Sequence, residues 1–137
     1  MNEIIPLMLE RRGFIAVSTA AIFGYRLQHA NRIGEPADMY GLIGKIVAIQ
    51  GRRQELAEIL LEGIGGMPGC LSYVVANDPE DEDALWVTEV WDAERSHQAS
   101  LGLPSVQEAI RQGRPLIAGF GERFVTTPLG GHGLAEG

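Results

Sequence analysis

The chain has 137 residues, 45% of them hydrophobic and 21% charged, which suits one soluble globular domain with its own core. Lys and Arg number 11 against 18 Asp and Glu, a net charge of −7, which argues against the clustered basic surface that nucleic acid requires. Cys70 is the single cysteine; it rules out an intrachain disulfide and a structural zinc site built on paired cysteines.

Residues 1–38 carry Arg11, Arg12, Arg26 and Arg32 against Glu3, Glu10, Glu35 and Asp38, so the whole −7 resides in residues 39–137. The split predicts an N-terminal extension, 1–38, with a job of its own. In "ERRGFIAVSTAAIFG" two arginines precede an apolar run of 11 residues, Phe14 to Gly24. That is too short to span a membrane, which takes about 20, and it has the size of a signal-peptide apolar region. Arg-Arg-Gly-Phe-Ile resembles a twin-arginine export motif. Against export, Glu3 and Glu10 cancel the two arginines, and Gln28 stands where a small residue suits cleavage after Ala30. The competing readings are a helix that docks on the body of this protein or a partner, and translation starting at Met39. A cytoplasmic location is expected, with export through residues 1–30 as the alternative.

The body, 39–128, reads as alternating strands and helices. "MYGLIGKIVAIQ" (39–50) is rich in Ile, Val and Leu and predicts a first strand. "RRQELAEILLEGI" (52–64) places Leu56, Ile59, Leu60 and Ile64 at helical spacing, with Glu55, Glu58 and Glu62 opposite. The glycines of "GIGGMPG" follow that helix, so they stop it; a phosphate loop would have to precede a helix, whose N-terminal amides face the anion. "GLIGKI" (41–46) also fails as a phosphate loop, because Ile46 replaces the required Ser or Thr. "CLSYVVAN" (70–77), the polar turn "DPEDED" (78–83) and "ALWVTEVW" (84–91) predict a hairpin. The acidic turn lacks the alternating ligands and glycine of a calcium loop and reads as a solvated tip.

Asp92 is expected to cap a helix over 93–101, with Glu94 favourable in its first turn. Pro104 suits the start of a second helical piece, 104–113, and Ser105 and Glu108 have capping-box spacing. "GFGERFVTTP" (119–128) predicts the last strand, and the glycine-rich tail, 129–137, is expected to be mobile. The order β-α-β-β-α-β is the ferredoxin-like split pattern, an α+β fold with a four-stranded antiparallel sheet. On the third strand Leu85, Val87, Glu89 and Trp91 point one way, and Trp86, Thr88 and Val90 the other. Both faces carry apolar residues while the helices cover only one, which predicts a second copy on the other face.

The chemistry concentrates in "VTEVWDAERSHQAS" (87–100). Glu89 lies on a largely apolar face, and a buried carboxylate must find a partner or stay protonated. Arg123 or Lys45 on neighbouring strands could pair with it, or Glu89 and His97 could form a proton relay. His97 is the best base by residue type, since imidazole titrates near pH ~6.5. Trp91 packs in the core or walls a ring-binding pocket, and Tyr73 and Trp86 line that pocket or a dimer interface. Cys70 reads as a small buried apolar residue. His29, His97 and His132 are scattered, so no metal site is predicted, and no dinucleotide fingerprint is present.

"MPGCLSYVVANDPEDEDALWVTEVW" (67–91), "SHQASLGLPSVQEAI" (96–110) and "RPLIAGFGERFVTTPLGGHGL" (114–134) together resemble the antibiotic-biosynthesis-monooxygenase-like family, and more closely its quinol monooxygenase members. The resemblance covers 39–134 and none of 1–38. It implies a dimeric α+β barrel of two sheets face to face, with a pocket between sheet and helices in each subunit. It implies oxidation of phenols, quinols or aromatic polyketides by O2 without metal or flavin; a haem-degrading branch also exists. The first strand offers Gly44 where the haem branch has asparagine, and Val87 stands where the polyketide branch has one. Ser100 occupies the usual place of a histidine, with His97 one turn earlier. The expected site is therefore His97 and Glu89 as proton-handling groups, with Trp91, Val87, Tyr73, Trp86 and Ser100 around the substrate. Two functions fit: a cofactor-independent oxygenase acting on a small aromatic quinol or phenol, and a non-enzymatic dimer that holds a small apolar ligand.

Overall fold

The computed structural model describes residues 38–135. The expectations for residues 1–30, export signal or docked helix, lie outside the described residues. The elements are β1 (Tyr40–Ala48), α1 (Arg53–Gly63), β2 (Cys70–Asn77), β3 (Ala84–Trp91), α2 (Glu94–Ser100), α3 (Pro104–Gly113), a 3₁₀ turn (Arg114–Leu116) and β4 (Ile117–Thr126). The strands form one sheet in the order β2-β3-β1-β4, antiparallel throughout. This is the ferredoxin-like α+β arrangement, with the second helical segment split in two.

Leu56, Ala57 and Leu60 bury one face of α1 while Glu55, Glu58 and Glu62 stay outside, as the helical spacing requires. They meet Leu42, Ile46 and Ala48 of β1, Leu85, Val87 and Trp91 of β3, and Val106 and Ile110 of α3 in one core. The close contact of α1 with α3 depends on Gly63: a Cβ there would sit 2.7 Å from the Cβ of Ala109. The first strand stops at Ala48 instead of running to residue 50, because Gly51, at φ 78°, turns the chain into α1. The last strand begins two residues earlier than expected, at Ile117.

Two expected caps are not made. Asp92 does not cap α2: Ala93 is the N-cap residue, and no side chain caps the helix. Asp92 serves through its backbone, donating its N–H to the Gly69 carbonyl at 2.9 Å. Ser105 and Glu108 form no capping box either, since α3 starts at Pro104 and the Glu108 carboxylate accepts from Arg111 and Gln112. Those are local i,i+3 and i,i+4 pairs on the exposed side of the helix.

Row by row, the register assigns side chains to faces. Tyr73, Glu89, Leu42 and Val125 are directly opposite one another across four strands, and this row faces the helices. The next row, Val74, Thr88, Ile43 and Phe124, faces away. Val74 is 51% exposed and Phe124 53%. Residues 121–127 are exposed along their whole length, so the helix layer stops short of the end of β4. In the tail, Ala135 donates its N–H to the Leu71 carbonyl at 2.9 Å. Among the described residues no helix is long and apolar enough to cross a membrane.

Candidate functional site

Glu89 and Trp91 project from the same face of β3, two residues apart, towards the helices. Glu89 is 1% exposed, and Trp91 and His97 are 0%. The Trp91 indole N–H donates to Oε2 of Glu89 at 2.8 Å. The helix α2 folds back over the end of β3 and brings the His97 Nε2 to 3.8 Å from the same oxygen. That separation is outside hydrogen-bonding range. Trp91 lies edge-on to the imidazole, centroids 5.4 Å apart and planes at 74°. Tyr40, opposite Trp91 on β1, packs against the same imidazole, centroids 5.5 Å apart and planes at 42°.

Burial disfavours charge on both groups. It pushes the Glu89 carboxyl up to about 7, against the opposing influence of the Trp91 N–H and the Arg123 charge. It pushes His97 down to about 4, and Arg123 acts in the same direction. Near neutral pH the imidazole is therefore neutral while the carboxyl is poised between its two forms. The pair is not a buried salt bridge, despite its proximity. Arg123, placed on the helix side by its register with Gly44, also adjoins the Tyr40 hydroxyl. Desolvation raises Tyr40 and Tyr73, and for Tyr73 the neighbouring Glu89 adds to the rise. The half-buried Cys70 thiol is pushed up to about 11, chiefly by desolvation, so it is no nucleophile near neutrality.

Among the described residues, four buried side-chain polar atoms have no hydrogen-bond partner: Glu89 Oε1, His97 Nδ1, His97 Nε2 and Tyr73 Oη. They belong to two adjacent strands and a helix. Buried polar groups are ordinarily paired, and an unpaired one costs about 1–3 kcal/mol. Their gathering beside aromatic rings marks this cluster as the candidate site.

The structure brings together His97, Glu89, Trp91 and, across the strand pair, Tyr73; Val87 lies on the same face, one row on. It does not bring Trp86 there. Trp86 is on the opposite face, where its N–H donates to Asp78 Oδ2 at 3.0 Å and its ring faces Lys45 at 5.7 Å. Lys45 pairs with the buried Asp78 at 2.8 Å and so does not reach Glu89. Asp78 thereby ties down the base of an otherwise solvated hairpin tip. Ser100 is buried near His97, but its hydroxyl donates to the His97 carbonyl at 2.6 Å, so it bonds back to its own helix. Tyr40 was not among the expected site residues; its contact follows from the β1–β3 register, which no local pattern encodes.

Among the described residues no group of three or more His, Cys, Asp or Glu gathers to hold a metal. A surface cavity of about 460 Å³ lies elsewhere, along α3, beside Glu108 and Arg111. Those two side chains bond to each other, and none of the four unpartnered atoms lies among its lining residues.

A family profile described as "Antibiotic biosynthesis monooxygenase" matches residues 39–112. No curated protein matches the chain. A crystal structure from Chloroflexus aurantiacus, of a candidate antibiotic biosynthesis monooxygenase, is 63% identical, covers 71% of this chain and 99% of that one, and superposes with a TM-score of 0.69. A further candidate of that kind from Caulobacter crescentus is 18% identical over 72% of this chain and 94% of its own, with a TM-score of 0.58. A variant of SnoaB, a cofactor-independent oxygenase from Streptomyces nogalater, is 14% identical over 70% of this chain and 98% of its own, also at 0.58. The last two likenesses are of fold alone.

Proposed function

The chain belongs to the antibiotic biosynthesis monooxygenase family, and from that premise we propose that it is a homodimeric monooxygenase that oxidises a small aromatic quinol or phenol with O2, without a cofactor. The observation that carries the reading is the buried Glu89–His97 pair with its unpartnered atoms under two aromatic rings.

O2 reacts slowly with closed-shell organic molecules, and proteins usually borrow a cofactor for that step. A quinol can instead supply the electrons itself once it has lost a proton. Glu89, poised near pH 7, matches the proton affinity wanted of a general base. His97, expected from its residue type to be the base, is pushed by burial below Glu89 in proton affinity and is the weaker base of the two; neutral, it has one N–H to donate to the anion. Tyr73 has a hydroxyl to donate beside it. The resulting ring anion reduces O2. One oxygen atom forms a new bond to the ring and the other leaves as water, so that quinol and O2 give a hydroxyquinone and H2O. The substrate provides all four electrons, two in passing from quinol to quinone and two in gaining the hydroxyl.

The dimer rests on the row Val74, Thr88, Ile43 and Phe124, an apolar sheet face that the helices leave uncovered. The test is oxygen consumption by metal-free protein across a panel of quinols and phenols. Consumption that depends on the protein and is lost in Glu89→Gln supports the reading. Ligand binding without consumption would leave a small-ligand-binding dimer in its place.

A further inference from the structure

Beyond packing, Trp91 has an asymmetric relation to the carboxylate next to it. Its indole N–H reaches Oε2 of Glu89, while Oε1 is buried and has no partner. An indole nitrogen donates and cannot accept. The contact therefore favours the ionised carboxylate over the acid and fixes which oxygen stays available. Without it the carboxylate could rotate about its last torsion, which has no strong rotamer preference.

We infer that Trp91 is a positioning residue: its N–H anchors Oε2 and presents Oε1 as the oxygen that takes the substrate's proton. The inference rests on the oxygenase reading for the identity of that proton, and on the structure alone for the anchoring. The groups that face Glu89 from every packed element are Tyr40 on β1, Tyr73 and Cys70 on β2, Arg123 on β4 and His97 on α2, with Glu94 beside Tyr40. Of these Arg123 alone is a fixed cation. It stands on exposed β4, where solvent screens it, so the buried indole is the closer and less screened support for the carboxylate.

The chain contains two tryptophans, and each donates its N–H to a carboxylate: Trp91 to Glu89 and Trp86 to Asp78. The second carboxyl is held below its usual range, first by Lys45. In nitrogen-15 NMR of the wild-type protein, the Trp91 indole N–H resonance should move with a midpoint near pH 7, and the Trp86 resonance only in acid. In Glu89→Gln the movement at pH 7 should vanish. In Trp91→Phe, which keeps an aromatic ring, the Glu89 side-chain carbon should titrate higher by about one pH unit, and the rising limb of kcat/KM against pH should shift with it. A Trp91 resonance that stays still between pH 5 and 8, or a Glu89 titration unchanged in Trp91→Phe, would overturn the inference. If the resonances behave as expected but no quinol is oxidised, the oxygenase reading fails and the anchoring stands.

Discussion

Glu89 and His97 have opposite proton linkages, and that is open to measurement. Folded Glu89 keeps its proton to about pH 7, whereas in the unfolded chain it releases it near 4.5. Its raised value therefore favours the folded state below pH 4.5, and that contribution is lost as pH rises through about 7. Folded His97 stays neutral down to about 4, whereas the unfolded residue binds a proton from about 6.5. Its contribution is present above pH 6.5 and is lost as pH falls through about 4. Between pH 4.5 and 6.5 the two linkages oppose each other, at about 1.4 kcal/mol per pH unit for each proton. Relative to wild type, urea unfolding of Glu89→Gln should gain stability with rising pH across that window, and His97→Gln should lose it. Parallel slopes for the two variants would contradict the assigned burial. Both residues are legible in the sequence, Glu89 as a charge on an apolar strand face and His97 by its chemistry. The order of their proton affinities is not, because burial reverses the ordinary one.

At the scale of elements, β3 and α2 are held together from below by the chain that enters β2. Gly69 has φ 82°, and a Cβ there would fall 2.6 Å from Asp92 and Ser96 atoms. Its carbonyl accepts the Asp92 N–H. Gly69→Ala should therefore strain the backbone and push α2 off the sheet, lowering stability by about 1–3 kcal/mol in a denaturant titration. An unchanged midpoint would remove Gly69 from the account. The two-residue alternation of β3 was legible, and with it the separation of Glu89 and Trp91 from Trp86. The pairing of Lys45 with Asp78, and of Tyr40 with His97, was not. Both depend on the register of β1 against β3, two strands far apart in sequence. The missing caps at Asp92 and Ser105 show the same limit: the residue types suit a cap, but the backbone places Ala93 and Leu103 at those positions.

For the whole molecule, the sheet has a helix-covered face and an open one, and the open face predicts the assembly. Phe124 belongs to the central row of that face. Phe124→Asp would bury a charge in any interface built there, a cost of several kcal/mol per ion. Light scattering should give a dimer for the wild type and a folded monomer for the variant; a monomeric wild type would contradict the dimer. The strand and helix order, the four-stranded sheet and the uncovered face are legible from hydrophobic periodicity and turn residues, since those patterns are local. The uncovered end of β4 is not, because it depends on how far three helices reach across four strands. The most direct test of the central claim is to supply 18O2 to metal-free protein with a quinol and weigh the product. The account predicts one 18O atom in each hydroxyquinone and the other in water, with the yield abolished in Glu89→Gln. An unlabelled quinone formed with hydrogen peroxide would make the protein an oxidase and contradict it.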